Sequence, residues 1–447
     1  MKVLLISIMR ELKKEQKEIY PLDTSTYQPS LVKRLAENPI IAQNEALISE
    51  GHEVKTIIMA TTTLSSLVNE DVKDLYDLQE KIASIIRSAF SENFPLYIIP
   101  SNGSSISKDD IEHMHIGGPG NTLYFMFHYL RKEINEFKPD MILIDLTSAD
   151  QTLSSLVFKA SYGAILDSFV LNDNASSITL ILTTLINDKI YMISRDVYDS
   201  NELMLYNYFL REFRLVNVLR QDIQPLSVIG RSELNKVGTL LKLGLILLLL
   251  HEFSSFEPNK MYSPEDFLNL IYKNFKISKE DEGKRIVYDY GLEILEGAIY
   301  YTIGRDFLTK YNTNERSFSL NELRKLLRFF PISVRNVIEA KFKDIEELVN
   351  LLRMHGIDEV ETTLYGLRKV GSMTAVEFHK PNAKEIIASL LEGKKICKGF
   401  YPEKFLSELG LLDKIIEVKI KKDDIRINYI QECLDNVYNI IKEYLPT

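Results

Sequence analysis

Short, unalternated apolar runs dominate the first third of the chain, and each ends in small polar residues. Val3-Leu4-Leu5-Ile6 leads into Ser7. Leu96-Tyr97-Ile98-Ile99 leads into Pro100-Ser101-Asn102-Gly103-Ser104-Ser105, and Met141-Ile142-Leu143-Ile144 into Asp145-Leu146-Thr147-Ser148-Ala149-Asp150. Runs this short and this rich in β-branched residues read as strands buried on both faces of a parallel sheet. A fourth, Val54-Lys55-Thr56-Ile57-Ile58-Met59, carries the tail Thr61-Thr62-Thr63. Helical patterns lie between them: Pro39 to Gly51, about Asp71 to Ser88, one opened by Gly117-Gly118-Pro119-Gly120-Asn121 and running through Leu130 and Ile134, and one from near Leu153. Ser168 to Leu171, Ile178 to Leu182 and Lys189 to Ile193 are expected as further strands. Such alternation predicts an α/β, Rossmann-like parallel sheet over residues 1–200.

From residue 203 to 447 the pattern turns helical. Leu203 to Arg220, Leu234 to His251, Pro264 to Phe275, Arg285 to Leu308 and Asn321 to Arg328 carry helical spacing, with Pro225 in a linker. One β-hairpin interrupts this second domain. Ile416, Val418 and Ile420 alternate with charged residues, Lys421-Lys422-Asp423-Asp424 turns, and Ile425, Ile427 and Tyr429 alternate again. A last helix is expected from Ile430 to Tyr444.

With 447 residues and 45% hydrophobic content, the chain can bury two or three domain cores. A net charge of −9 argues against broad, sequence-independent nucleic-acid binding, while leaving room for a local basic groove. Two cysteines, Cys397 and Cys433, are too few for a disulfide framework and fit a reducing compartment. The histidine pair His113 and His115 has no partner at zinc spacing, so neither a metal nor a cofactor is expected. Leu243 to Leu250 is the longest apolar run, short of the about 20 residues a membrane helix needs. Met1-Lys2 enters the first strand directly, without a signal peptide. These features predict a cytoplasmic protein.

In parallel sheets ligands bind outside the carboxyl ends of the strands. The polar tails therefore predict one crevice of hydroxyls and backbone N–H groups, suited to a nucleotide-like ligand. Its candidate residues are Ser7, Ser101, Asn102, Gly103, Gly118, Asn121, Thr147 and Ser148. Each segment also has a plainer reading: Thr147, Ser148 or Asp150 as a helix cap, Asn102 to Ser105 as a turn, and Gly117 to Gly120 as an unliganded loop. In the second half, Arg335-Asn336 opens a helix with Lys341 and Lys343. The segment Lys394-Lys395-Ile396-Cys397-Lys398-Gly399-Phe400-Tyr401 is basic with aromatic neighbours. The first reads as a solvated helix face before an RNA-contacting or catalytic Arg, and the second equally as a solvated loop or as a hold on an RNA backbone.

The order of these features resembles the CRISPR-associated accessory effectors of type III systems, which join a Rossmann-like CARF sensor domain to a helical HEPN ribonuclease domain. The resemblance rests on the first strand, the Leu64 region, Ile99-Pro100-Ser101-Asn102-Gly103, the Gly117 to Asn121 loop, Ile144-Asp145-Leu146-Thr147 and the C-terminal hairpin. It implies a homodimer that binds cyclic oligoadenylate across its two-fold axis and thereby controls metal-independent cleavage of single-stranded RNA. Two departures stand out. Family members often read Asp-Leu-Thr-His-Gly where this chain has Asp145-Leu146-Thr147-Ser148-Ala149. The HEPN signature, an Arg followed four to six residues later by a His, is missing; Arg335-Asn336 begins like it, but Ala340 stands where the His belongs. Arg335, Lys395 and Lys398 are then the candidate catalytic cations. The alternatives are a nuclease-inactive messenger-binding regulator, or a ring nuclease that cleaves the messenger within the sensor domain.

Overall fold

The computed structural model describes residues 1–12, 17–36, 38–90, 93–172, 177–200, 234, 236–241, 246–255, 257, 261–312, 317–374, 416–422 and 424–430. These fall into two compact units. The first joins residues 1–200 to 261–307; the second joins 234–257 to 308–430. The composition of the first unit is not confined to the stretch before residue 200, because some forty-odd residues beyond the expected boundary pack into it.

The first unit begins with strand β1 (Lys2–Met9). Short ribbons follow, β2 (Lys17–Ile19) with β5 (Arg34–Ala36), and β3 (Leu22–Asp23) with β4 (Gln28–Pro29). Helix α1 (Pro39–Ser49) is capped by the Asn38 side chain. Strand β6 (Glu53–Thr61), helix α2 (Leu75–Ala89) and strand β7 (Leu96–Ile99) come next. A hairpin of β8 (Gly103–Ile106) and β9 (Glu112–Ile116) leads into α3 (Pro119–Phe137), β10 (Met141–Asp145) and α4 (Gln151–Leu171). Strands β11 (Ser177–Ile186) and β12 (Lys189–Asp199) close the alternation.

Six of these strands form one sheet in the order β12-β11-β10-β1-β6-β7, parallel except for β12. The central strands are apolar on both faces because both faces are covered. Val3, Leu5, Met141, Leu143 and Ile181 pack with Ile40, Ile41 and Leu47 of α1, while α3 and α4 pack on each other and α3 on β1. The expected strand at Ser168 to Leu171 is instead the last turn of α4. Its apolar residues continue the helix's own buried stripe, which overrides their local β preference.

The residues after 260 add α6 (Pro264–Asn274), following α5 (Ile246–Ser255) of the second unit, and strands β13 (Lys276–Glu280) and β14 (Arg285–Asp289). The helix expected over Arg285 to Leu308 is therefore corrected. Only Gly297–Lys310 is helical, as α7. Ile286, Val287 and Tyr288 favour a strand, and Gly291 at φ +65° turns the chain before the helix begins. Strand β14 pairs in parallel with β9, making a second sheet in the order β13-β14-β9-β8. Arg131 of α3 fastens α7 to this unit. Its guanidinium donates from Nε to Asp167 of α4 at 2.7 Å, and from Nη2 to Asp306.

In the second unit, β15 (Phe318–Ser319), β16 (Glu359–Thr363), β17 (Ile416–Lys421) and β18 (Asp424–Tyr429) form a sheet in the order β15-β18-β17-β16. The expected hairpin is thus the middle of a four-stranded sheet. Helices α8 (Leu320–Leu327), α9 (Ile332–Met354) and α10 (Leu364–Thr374) belong to the same unit. Ser319 and Glu322 form a capping box at the start of α8. The helices expected at Leu203 to Arg220 and Ile430 to Tyr444 lie outside the described residues.

Candidate functional site at the strand tips

Parallel pairing sets the tips of β1, β6, β7 and β10 side by side. Ser7 of β1 is in register with Asp145, the last residue of β10, and with Ile58 of β6. Asp145 is buried, and burial pushes its carboxyl above the ordinary carboxylate range even though the Thr147 and Ser7 side chains hydrogen-bond to it. Thr147 donates to Asp145 from its backbone N at 3.1 Å and from Oγ1, and that Oγ1 accepts from the backbone N of Leu185 at 3.1 Å. Ser7 and Thr147 thus build the floor of the tip, and Ser148 beyond them is exposed.

A second cluster lies at the tips of β6 and β7. The Oγ1 atoms of Thr61 and Thr63 are 2.6 Å apart. The Thr62 Oγ1 accepts from the backbone N of Ser101 at 3.1 Å and lies 2.6 Å from the Tyr290 hydroxyl. Ser101 is buried and Asn102 exposed. The tail expected as a loop enters β8 at Gly103, whose φ of +131° suits glycine. A Cβ there would lie 3.4 Å from Arg10 Nη2 and 3.7 Å from Thr63 Cγ2. Arg10, the residue after β1, reaches across to pair through Nη1 with Asp150, which also caps α4.

Gly118 and Asn121 are placed against protein rather than among these tips. The Asn121 Nδ2 donates to the Leu292 carbonyl at 2.6 Å, and its Oδ1 accepts from the Ile294 backbone N at 2.7 Å. A Cβ on Gly118 would collide with the Glu293 carboxyl, and one on Gly120 would lie 1.8 Å from the Ile294 carbonyl oxygen. The glycines make room for the 290–295 segment, which comes from the far side of the chain and which sequence periodicity could not bring here.

Beside the tips runs a buried chain of hydrogen bonds. The Tyr290 hydroxyl is 3.1 Å from His115 Nδ1, and His115 Nε2 is 2.8 Å from the Ser65 hydroxyl. Tyr288 stacks on His115 with ring centroids 4.6 Å apart, and its hydroxyl is 3.2 Å from His113 Nδ1. Both histidines face the same side of β9 because strand side chains repeat every second residue. Burial, helped by His113, lowers the His115 pKa to about 3, and burial also lowers that of His113. Among the described residues no cluster of His, Cys, Asp and Glu is placed to hold a metal, and no helix is long and apolar enough to cross a membrane.

In the second unit, Arg335 sits in the first turn of α9. It donates from Nε to the Leu327 carbonyl at 3.1 Å and from Nη2 to the Arg328 carbonyl at 2.9 Å. These bonds satisfy carbonyls at the end of α8, a capping task. Lys395 and Lys398 lie outside the described residues, as do Cys397 and Cys433.

Residues 4–184 match the family model described as CRISPR system endoribonuclease Csx1, CARF domain. The matched stretch runs from β1 into β11, so it takes in every strand tip described above. It stops before the strands and loop that residues 276–295 add. The match covers less than half of the chain and supports a CARF domain of the kind found in type III CRISPR effectors over those residues. No curated protein matches the chain.

Proposed function

We propose that the chain senses cyclic oligoadenylate at the tips of β1, β6, β7 and β10 in a homodimer, and that occupancy there controls the second unit. The observation that carries this reading is the parallel pairing that sets Ser7, Thr62, Ser101, Gly103 and Asp145 at one end of a CARF-like sheet. Ligands of open parallel sheets bind at that end, and a symmetric ring on a two-fold axis suits a symmetric dimer. The remaining candidates, Asn102, Thr147 and Ser148, flank the same tips. RNA is the proposed substrate of the second unit, by metal-independent chemistry. That chemistry is weak or absent, because no His stands at signature spacing from an Arg in the sequence and an exposed lysine near 10.4 is a poor general base.

Isothermal titration with cyclic oligoadenylates of several ring sizes tests the sensor reading. One ring size should bind with one ring per two chains. No binding by any ring refutes it. Labelled RNA incubated in EDTA with and without that ring tests the second unit, and linear adenylates released from the ring with RNA intact would favour a ring nuclease.

A further inference from the structure

We infer that Arg10 is the phosphate-binding residue of the strand tips, and that Asp150 competes with the ligand for it. The inference rests on the sensor reading above. Arg10 directly follows β1, so the sheet itself aims its side chain across the site. Its Nη1 pairs with Asp150 beyond β10, while its Nη2 lies close to Gly103 beyond β7, 3.4 Å from where a Cβ there would stand. One guanidinium thus reaches the tails of two strands, β10 and β7. A Cβ on Gly103 would meet Nη2 at ordinary contact distance, 3.4 Å, and the φ of +131° keeps this position to glycine, so the fork passes over bare backbone.

Apart from the buried Asp145 carboxyl and the Asn102 amide, the groups described at the tips are hydroxyls and backbone atoms, several already engaged inside the protein: Thr147 by Asp145 and Leu185, and Thr62 by Ser101 and Tyr290. A guanidinium fork is the group best matched to phosphate oxygens. Here one of its nitrogens is held by a single carboxylate oxygen, Asp150 Oδ2. The Arg10 and Asp150 side chains are 34% and 42% exposed, so their pairing is of the weak, solvent-screened kind that an incoming phosphate can replace. Asp150 remains in place after the exchange, because its Oδ1 accepts from the Leu153 backbone N at 2.8 Å. Its charge then opposes that of the bound phosphate. Asp150 therefore keeps the fork aimed in the empty protein and weakens the ligand's hold.

The test compares the full-length protein with R10Q, R10K and D150N, using titration calorimetry at constant salt with the cyclic oligoadenylate that binds wild type. Asn caps a helix about as well as Asp, so D150N removes the charge and keeps the cap. R10Q should weaken binding about tenfold or more, as loss of charge-assisted hydrogen bonds does. R10K should fall between, keeping the charge without the fork. D150N should bind about two- to fivefold tighter, the size of one exposed ion pair. Wild-type affinity in R10Q or R10K, or unchanged or weaker binding by D150N, overturns the inference and leaves the sensor reading standing. If wild type binds no ring, the sensor reading itself fails and this inference falls with it. Should R10Q not fold, R10K and D150N decide.

Discussion

Replacing Tyr290 with Phe should destabilise the first unit far more than loss of one hydroxyl does elsewhere. The ring stays, so its packing against Gly117 and Phe275 stays with it. Only the oxygen goes, and with it the 2.6 Å bond to Thr62 and the 3.1 Å bond to His115 Nδ1. Thr62 keeps Ser101 as a partner, whereas the His115 nitrogen is left in a buried site. A buried polar group without a partner costs about 1–3 kcal/mol, and a second lost bond adds about 1 kcal/mol, so about 2–4 kcal/mol is expected. For a unit of this size that corresponds to a fall in Tm of roughly 4–15 °C. The control is Tyr191→Phe on β12, where the side chain is exposed and the change should stay within about 0.5 kcal/mol. Urea unfolding followed by far-UV circular dichroism, with tyrosine fluorescence as the second probe since the chain has no Trp, measures both. Equal midpoints for the two variants would refute the hydrogen-bonded chain between the strand tips and β14.

Asn121→Ala removes both side-chain bonds to the 292–294 backbone; it should lower stability by about 2–4 kcal/mol and speed amide exchange in residues 290–296, read by mass spectrometry. Acid should act through His115, which burial holds neutral in the folded protein. With its pKa lowered from 6.5 to about 3, the unfolded chain binds the extra proton between those values, so stability is full above about pH 6.5 and falls as pH drops toward 3, by up to about 1.4 kcal/mol per pH unit. His113 and His128 are shifted the same way and Asp167 the opposite way, so the comparison is with His115→Gln, whose melting temperature should depend less on pH between 6.5 and 4; parallel curves would exclude His115. A fragment ending at residue 200 should be poorly soluble and show exchange-labile β9 amides, because it lacks β14; a fragment with wild-type protection there would show that residues 276–289 are dispensable.

The central sheet was legible in the sequence because its strands are buried on both faces and so announce themselves as continuous apolar runs. The strand-tip residues Ser7, Ser101 and Gly103 followed from those runs. The second sheet was not legible. Glu112 to Ile116 alternates histidine with apolar residues, and Arg285 to Asp289 is short enough to be absorbed into a helical reading. Their pairing depends on contacts between distant parts of the chain, which no local period encodes. Gly118 and Asn121 fit both a ligand cradle and an unliganded loop for the same reason: a glycine that admits a ligand and one that admits a backbone look alike until the partner segment is seen. Arg10 carries no such signal: it is a single charged residue after a strand, with no motif around it. For Arg335 the sequence showed a helix start but not the α8 carbonyls that its guanidinium meets.

The pairing of β9 with β14 also sets a timetable. Glu112 and Arg285, which bond across the two strands, are 173 residues apart in the chain. At roughly 5–20 residues per second, a ribosome makes that intervening length in about 9–35 s. During that interval the nascent β8–β9 hairpin has an open edge, and His113 and His115 lack the tyrosines that later cover them. An unpaired edge is a template for other strands. Emerging chains on one messenger RNA present the same edge to each other, so slow translation or crowded polysomes favour cross-pairing between copies, and the first unit matures only when the chain is two-thirds made.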